Sequence, residues 1–386
     1  MDIPARRVHV GLAPLVLLAA LATAGAPPST PAPPTAATPT PDAESIGSLR
    51  NARVAFPIEP GAPRPGLTLL TGPLTDAQLA ELRAAAPNVR IEANLTREQA
   101  LARAPEAHAA DARFATAEFI ARAPNLVWVQ ATSAGVDRFL ALDPLMKSDR
   151  IVLTNMRAVH GPAIADHAFA MLLTLTRNLR VFEAHRGAGR WSDEPPAGTP
   201  EPIALQGRTM LVVGIGGIGS EIAQRAHGFG MRVLATRRTD APAPDYIARV
   251  GRPEDLTSML PEADVVALCV PLTPETERLF DPGHFAAMKP GAYLINIARG
   301  RVVDTGALLA ALDSGRLAGA CLDVTDPEPL PTGHPLWTRP NVIITPHVAA
   351  DADLTRRRHW SLFKENVRRF GVGEPLMNTV DKKAGY

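Results

Sequence analysis

From about residue 49 onward, short apolar runs alternate with longer stretches in which apolar residues recur at helical spacing. Such alternation predicts an α/β fold built on mostly parallel strands. Early candidate strands are Arg53–Phe56, Leu126–Ala131 and Ile151–Thr154. The amphipathic stretch Ala163–Arg186 predicts one long helical segment, and a loop rich in Pro and Gly follows over about 193–207. Strands then recur at Thr209–Val213, Met231–Thr236, Asp264–Val270, Tyr293–Ile297, Ala318–Asp323 and Val342–Thr345, and Asp353–Phe370 reads as a closing helix. Two α/β units are expected, 49–160 and 161–344, with 345–386 returning to the first. No repeat of solenoid length interrupts this order.

Ahead of the pattern lies a different kind of chain. Arg6 and Arg7 precede an apolar run from Val10 to Leu21, and the small residues Ala22, Ala24 and Ala26 follow. A charged start, a short apolar run and an A-x-A-like end predict a secretory signal peptide over 1–26, and hence export, with a cytoplasmic location as the alternative. The run is too short for a comfortable membrane span, so none is expected in the mature chain. The Pro-rich stretch 27–48 cannot build a core and reads as an extended linker.

Composition narrows the chemistry. A net charge of +1 over 386 residues argues against a nucleic-acid binder. Cys269 and Cys321 each sit in an apolar run and read as buried thiols, and no Cys/His cluster has metal-ligand spacing.

The strongest single motif is LVVGIGGIGSEIAQRA, in which a β-branched run enters Gly214-Ile215-Gly216-Gly217-Ile218-Gly219 and a helix pattern follows at once. In this order Gly214 makes a tight turn, Gly216 admits a pyrophosphate to the backbone, and Gly219 lets helix and strand pack closely. Free N–H groups at the helix start, through Gly217 and Ile218, then face the phosphates. The motif therefore predicts a dinucleotide site. At the end of the next strand, where a carboxylate would accept from a ribose 2′-OH, the chain has Arg237 and Arg238. Planar, charged guanidinium groups there suit a 2′-phosphate, so NADP(H) is preferred and NAD(H) remains possible.

Read together, SAGVD at 133–137, the helical Asp166-His167, the glycine turn, ADVVALCVPLTPET, MKPGAYLINIARGRVVD, GACLDVTDPEPLP and NVIITPHVAA resemble the D-isomer-specific 2-hydroxyacid dehydrogenases. That family contains glyoxylate/hydroxypyruvate reductases, D-lactate dehydrogenases and phosphoglycerate dehydrogenases. The matches run from about residue 125 to about 350. The resemblance implies two doubly wound parallel-sheet domains, a Rossmann cofactor domain and a flavodoxin-like substrate domain. It also implies a homodimer with contacts along 163–186 and the loop that follows.

By the same resemblance Arg299 grips the substrate carboxylate, His347 is the acid/base, Glu328 orients His347, and Asp323 meets the nicotinamide carboxamide. The N–H groups near Ala134 and Gly135 form a second carboxylate contact. These roles fit the chemistry of a 2-oxo acid. A guanidinium holds the permanent carboxylate bidentately, and the carbonyl oxygen needs a proton as hydride arrives. Histidine titrates near working pH, and a carboxylate beside it favours the imidazolium.

Some positions depart from the family pattern: Asp166 where glutamate is common, Met210 where glycine is frequent, and Val348-Ala349-Ala350 after the histidine. Glu328 disfavours a formate dehydrogenase, which pairs its histidine with an amide; phosphite oxidation keeps the same trio. The reading is thus a small 2-oxo acid reductase, with a non-catalytic nucleotide-binding regulator on the same fold as the alternative.

Overall fold

The computed structural model describes residues 66–196 and 199–385; the expected signal peptide, the Pro-rich stretch and the candidate strand Arg53–Phe56 lie outside them. The first sheet has five strands: β1 (Leu67–Leu70), β2 (Val89–Glu92), β3 (Ala109–Asp111), β4 (Trp128–Gln130) and β5 (Val152–Thr154). They pair in the order β2-β1-β3-β4-β5, all parallel, which is the flavodoxin-like order. The second sheet has seven: β6 (Thr209–Val213), β7 (Arg232–Thr236), β8 (Ile247–Gly251), β9 (Val265–Leu268), β10 (Ala292–Asn296), β11 (Leu317–Leu322) and β12 (Val342–Ile344). Its order is β12-β11-β10-β9-β6-β7-β8, again parallel throughout. Counted from β6, this is the Rossmann order with a seventh strand added beyond the sixth.

The central strands are continuous apolar runs because helices cover both faces. Every residue of β6 and β9 is buried. The Gly217–Gly228 helix buries Gly219, Ile222, Ala223 and Ala226, an i, i+3, i+4, i+7 stripe that lies against the second sheet. The closing helix runs Asp353–Val372 and buries Leu362, Phe363, Val367 and Phe370 in the core of the first sheet. Phe370 packs against Trp128, with ring centroids 5.2 Å apart. Truncating either ring to alanine removes about 3–5 kcal/mol. The last part of the chain is therefore a structural member of the first lobe.

Two features differ from the sequence pattern. The stretch Ala163–Arg186 is two helices, Gly161–Thr176 and Leu179–Gly187, separated at Asn178, whose φ is +53°. Asparagine tolerates this left-handed conformation, and here its amide donates to the Pro200 carbonyl at 2.7 Å, pinning the following loop into the break. The strands β1, β2, β3 and β8 are also absent from the pattern reading. They are short, and β3 (AAD) and β8 (IARVG) lack a sustained apolar or alternating run.

Candidate active site

The turn after β6 is made by glycine. Gly214 has φ +96°, and a Cβ there would meet Val270 Cγ1 at 2.8 Å and the Cys269 carbonyl group at 3.1 Å. A Cβ on Gly219 would overlap the Gly214 carbonyl oxygen, so helix and strand approach as closely as they do only because position 219 has no side chain. Gly216 caps the Gly217–Gly228 helix without any side-chain cap. Gly217 lies against Ala158, whose Cα would be 3.1 Å from an added Cβ. The side chain of Ile218 is partly buried against the core, so its polar contribution at the helix start is its main chain. An uncapped helix start beside a bare glycine fits the pyrophosphate of a nicotinamide dinucleotide, which needs main-chain donors and close access.

Arg237 and Arg238 follow β7. The Arg237 N–H donates to the Gly251 carbonyl at 3.0 Å, and its Nη1 lies 3.4 Å from the Pro242 carbonyl oxygen. Arg252, after the neighbouring strand β8, donates to the Arg238 carbonyl and pairs with Asp240 at 2.5 Å. It is a third guanidinium in this corner that motif reading missed, because it belongs to a strand the pattern did not reveal.

At the other end of the site, His347 Nδ1 lies 2.7 Å from Glu328 Oε1, with both side chains nearly half exposed. An exposed pair contributes little to stability, so what the contact achieves is orientation of the imidazole. His347 sits at φ +55°, unusual for a non-glycine residue. Asp323 explains how that is held. Its buried carboxylate accepts from Thr345 Oγ1 (2.6 Å), the Val348 N–H (3.0 Å) and the Ala349 N–H (3.1 Å), while its carbonyl accepts the His347 N–H at 2.8 Å. Three of its four acceptor positions are thus taken by the histidine's own turn. The role visible for Asp323 is support of His347, and the carboxamide contact expected of it has one position left to use. His167 joins this network, its Nε2 2.9 Å from Thr345 Oγ1.

Arg299 follows β10 and reaches across to the first lobe. Its Nε and Nη2 donate to Asp137 Oδ1 at 3.1 and 2.9 Å, and its Nη1 to the Ala298 carbonyl at 2.7 Å. The guanidinium occupies the space a Cβ on Gly135 would need. In the SAGVD loop, Ser133 Oγ donates to the Gly135 carbonyl (2.7 Å), Asn155 Nδ2 to that of Ala134 (2.8 Å) and the Met156 N–H to that of Ser133 (3.0 Å). The carbonyls are satisfied, whereas the N–H groups of Ala134 and Gly135 have no protein acceptor among the described residues. Two N–H groups of this kind beside a guanidinium have the chemistry to receive a carboxylate.

These pieces are contiguous. A Cβ on Gly300, next to Arg299, would overlap the Thr325 carbonyl, and the Thr325 N–H lies 3.4 Å from Glu328 Oε2, whose other oxygen meets His347. Arginine, glutamate and histidine therefore share the C-terminal edge of β10, β11 and β12, where ligands bind in α/β sheets. Asp137 and Asp323, as partner and support, were not assigned these tasks from sequence; SAGVD and LDV carried the residues but not the contacts. Both cysteines are free; Cys321 is buried as expected, whereas Cys269, one residue past the end of β9, is only partly so, and burial pushes the Cys321 thiol up.

Comparison with known proteins gives the chain its relatives. Residues 169–349 match the family described as D-isomer specific 2-hydroxyacid dehydrogenase, NAD binding domain. A glyoxylate reductase of Pyrococcus furiosus is 37% identical over 270 residues, covering 69% of this chain and 79% of that protein. The crystal structure of a D-isomer specific 2-hydroxyacid dehydrogenase from Xanthobacter autotrophicus, in complex with NADPH and MES, is 31% identical with a TM-score of 0.69, covering 84% of this chain and 100% of the other. That of an NADPH-dependent glyoxylate/hydroxypyruvate reductase from Sinorhizobium meliloti, in complex with NADP and sulfate, is 26% identical with a TM-score of 0.67, covering 83% and 100%.

Proposed function

Because the chain belongs to the D-isomer-specific 2-hydroxyacid dehydrogenases, we propose that it reduces a 2-oxo acid of glyoxylate or hydroxypyruvate size, with NADPH as the preferred donor. The chain is a nicotinamide-nucleotide-dependent oxidoreductase of the 2-hydroxyacid class, acting on CH–OH groups. The observation that carries the chemistry is the pairing of His347 Nδ1 with Glu328 at 2.7 Å on the same edge as Arg299, which lies over Gly135.

The residues divide the work as follows. The substrate carboxylate takes the Arg299 guanidinium and the N–H groups of Ala134 and Gly135, which turns the 2-oxo carbon to a fixed face. When bound, the nicotinamide supplies hydride to that carbon. Charge then grows on the carbonyl oxygen, and His347 donates a proton to it from Nε2, since Nδ1 is engaged by Glu328. Carbon gains hydride, oxygen gains the proton, and the 2-hydroxy acid results. In the reverse direction His347 takes the proton back.

Preference for NADPH is supported by Arg237, Arg238 and Arg252 at the ends of β7 and β8, where Asp240, the carboxylate that follows Arg238 in the chain, is paired with Arg252. A homodimer is supported by exposed large apolar side chains on and near the helices in question, Leu179, Trp191 and Trp337. Export is supported by the N-terminal pattern of residues 6–26; an exported protein would cross folded with its nucleotide bound.

The test uses protein lacking the leader, mixed with NADPH and a panel of 2-oxo acids and followed at the nicotinamide absorbance. Turnover of glyoxylate or hydroxypyruvate is expected; nucleotide binding without turnover of any member overturns the reading in favour of a regulator. Replacing Arg237 and Arg238 together with glutamine should weaken NADPH about tenfold or more and leave NADH unchanged. An unaltered ratio of the two dissociation constants would sink the 2′-phosphate assignment.

A further inference from the structure

Between β5 and the Gly161–Thr176 helix, the chain crosses from the first sheet to the second through residues 155–160. On one side this crossing is tied to the carboxylate loop by Met156 N–H to Ser133 and Asn155 Nδ2 to Ala134, at 3.0 and 2.8 Å. Behind it, the C-terminal segment clamps its main chain. The Asn155 N–H donates to the Asn378 carbonyl at 3.0 Å, and Asn378 Nδ2 to the Arg157 carbonyl at 2.8 Å. On the other side Ala158, at φ +67°, lies against Gly217 at the start of the Gly217–Gly228 helix.

This fixed main chain delivers Arg157 to the glycine turn. Around a Cβ placed on Gly216, only one atom from beyond its immediate chain neighbours comes within 4 Å among the described residues: Nη2 of Arg157, at 3.8 Å. The rest of that space is open. The turn and its helix carry little positive charge of their own. Helix N–H groups supply about half a unit charge, and the basic residue within LVVGIGGIGSEIAQRA is Arg225, far along the helix and paired with Glu221 and Asp166, each at 2.7 Å. A dinucleotide pyrophosphate brings two negative charges to this place.

We infer that Arg157 is a binding residue for the cofactor pyrophosphate, supplied by the crossing segment and not by the nucleotide-binding sheet. Its planar fork of donors matches phosphate oxygens, and its charge neutralises what the helix start cannot. Because the same six residues hold the Ser133 and Ala134 carbonyls, pyrophosphate on Arg157 also steadies the loop whose N–H groups receive the substrate carboxylate. Nucleotide on Arg157 therefore tightens the oxo acid, and substrate tightens nucleotide by the same factor. The inference rests on the family's use of a nicotinamide nucleotide, and on neither the 2′-phosphate preference nor the identity of the oxo acid.

Calorimetric titration of Arg157→Gln with NADPH, NADH and ADP-ribose tests it. All three probes share the pyrophosphate, so all three should weaken by one common factor of about tenfold or more, with the unfolding midpoint of ligand-free protein unchanged. Arg157→Lys, which keeps the charge without the fork, should recover part of the loss. Retained ADP-ribose affinity in Arg157→Gln overturns the inference. So does a lowered ligand-free midpoint in both variants with no recovery by lysine, which would make Arg157 a structural residue. ADP-ribose binding needs no turnover, so failure to find a substrate leaves this outcome readable.

Discussion

Along the turn after β6, four glycines within six residues leave main chain and little else at the surface. Along the loops after β10, β11 and β12, an arginine, a glutamate and a histidine carry long polar side chains held by specific partners. The first region works through space: Gly219 is required because any side chain would strike the Gly214 carbonyl. On the proposed reading the second works through groups that hold substrate and transfer a proton, set on the ends of buried strands. Damage to the first should therefore appear as lost stability and lost nucleotide together. Damage to the second should appear as lost turnover on an intact, nucleotide-binding protein.

The largest expected effect is at the acid/base. His347→Gln should lower kcat by about 10²–10⁴-fold while the dissociation constant for NADPH and the unfolding midpoint stay as they were. Parallel loss of nucleotide affinity would place the histidine in the binding framework and erase the contrast between the regions.

Next is Gly135→Ala, which touches both kinds of chemistry. Its methyl would take the space of the Arg299 guanidinium, so kcat/KM for a 2-oxo acid should fall about 10–100-fold. Nucleotide affinity should hold, because a methyl on Gly135 meets Arg299 and Asp137 and no part of the glycine turn. An unchanged kcat/KM would show that the guanidinium need not lie over this glycine.

Gly219→Ala tests the turn. Overpacking against main chain should cost about 1–3 kcal/mol in urea unfolding, with weakened NADH and NADPH alike. Full stability in this variant would mean that helix and strand separate at no penalty, and close packing would cease to explain the motif.

A pH-dependent effect is expected at the crossing between the two regions. Burial, helped by the nearby His359, lowers the His160 pKa from 6.5 to about 4. The unfolded chain therefore takes up a proton at this residue below pH 6.5 and the folded chain does not until about pH 4. Stability from this source is complete above the higher value and falls as pH drops through the window between them. Urea unfolding at a series of pH values should show a shallower slope across that window for His160→Gln. An identical slope would mean that the imidazole protonates as readily in the fold as out of it.

Much of the molecule can be read along the chain, and the reasons are local. The glycine turn is legible because strand, turn and helix are consecutive, and glycine's lack of a Cβ acts within a few residues: Gly214 and Gly219 are five positions apart and touch. The strands around it, such as Thr209–Val213, appear in the apolar pattern at their observed bounds because burial on both faces demands a continuous run. Where burial is shallower or residues are small, as in β3 and β8, the pattern is silent. The break at Asn178 was likewise hidden, because the amide that stabilises it reaches a loop residue 22 positions away.

Three things were legible in the order of residues: the strand and helix alternation of the second unit apart from β8, the position of the glycine turn, and the presence of Arg299, Glu328 and His347 beyond strands β10, β11 and β12. Tertiary structure decided who serves whom. Asp137 meets Arg299 across 162 positions, Asp323 props the histidine's turn from 22 to 26 positions away, and Arg157 reaches Gly216 from another sheet. Periodicity and turn chemistry act over neighbours in the chain. Hydrogen bonds and ion pairs act over a few ångströms in space, and only folding makes distant residues neighbours.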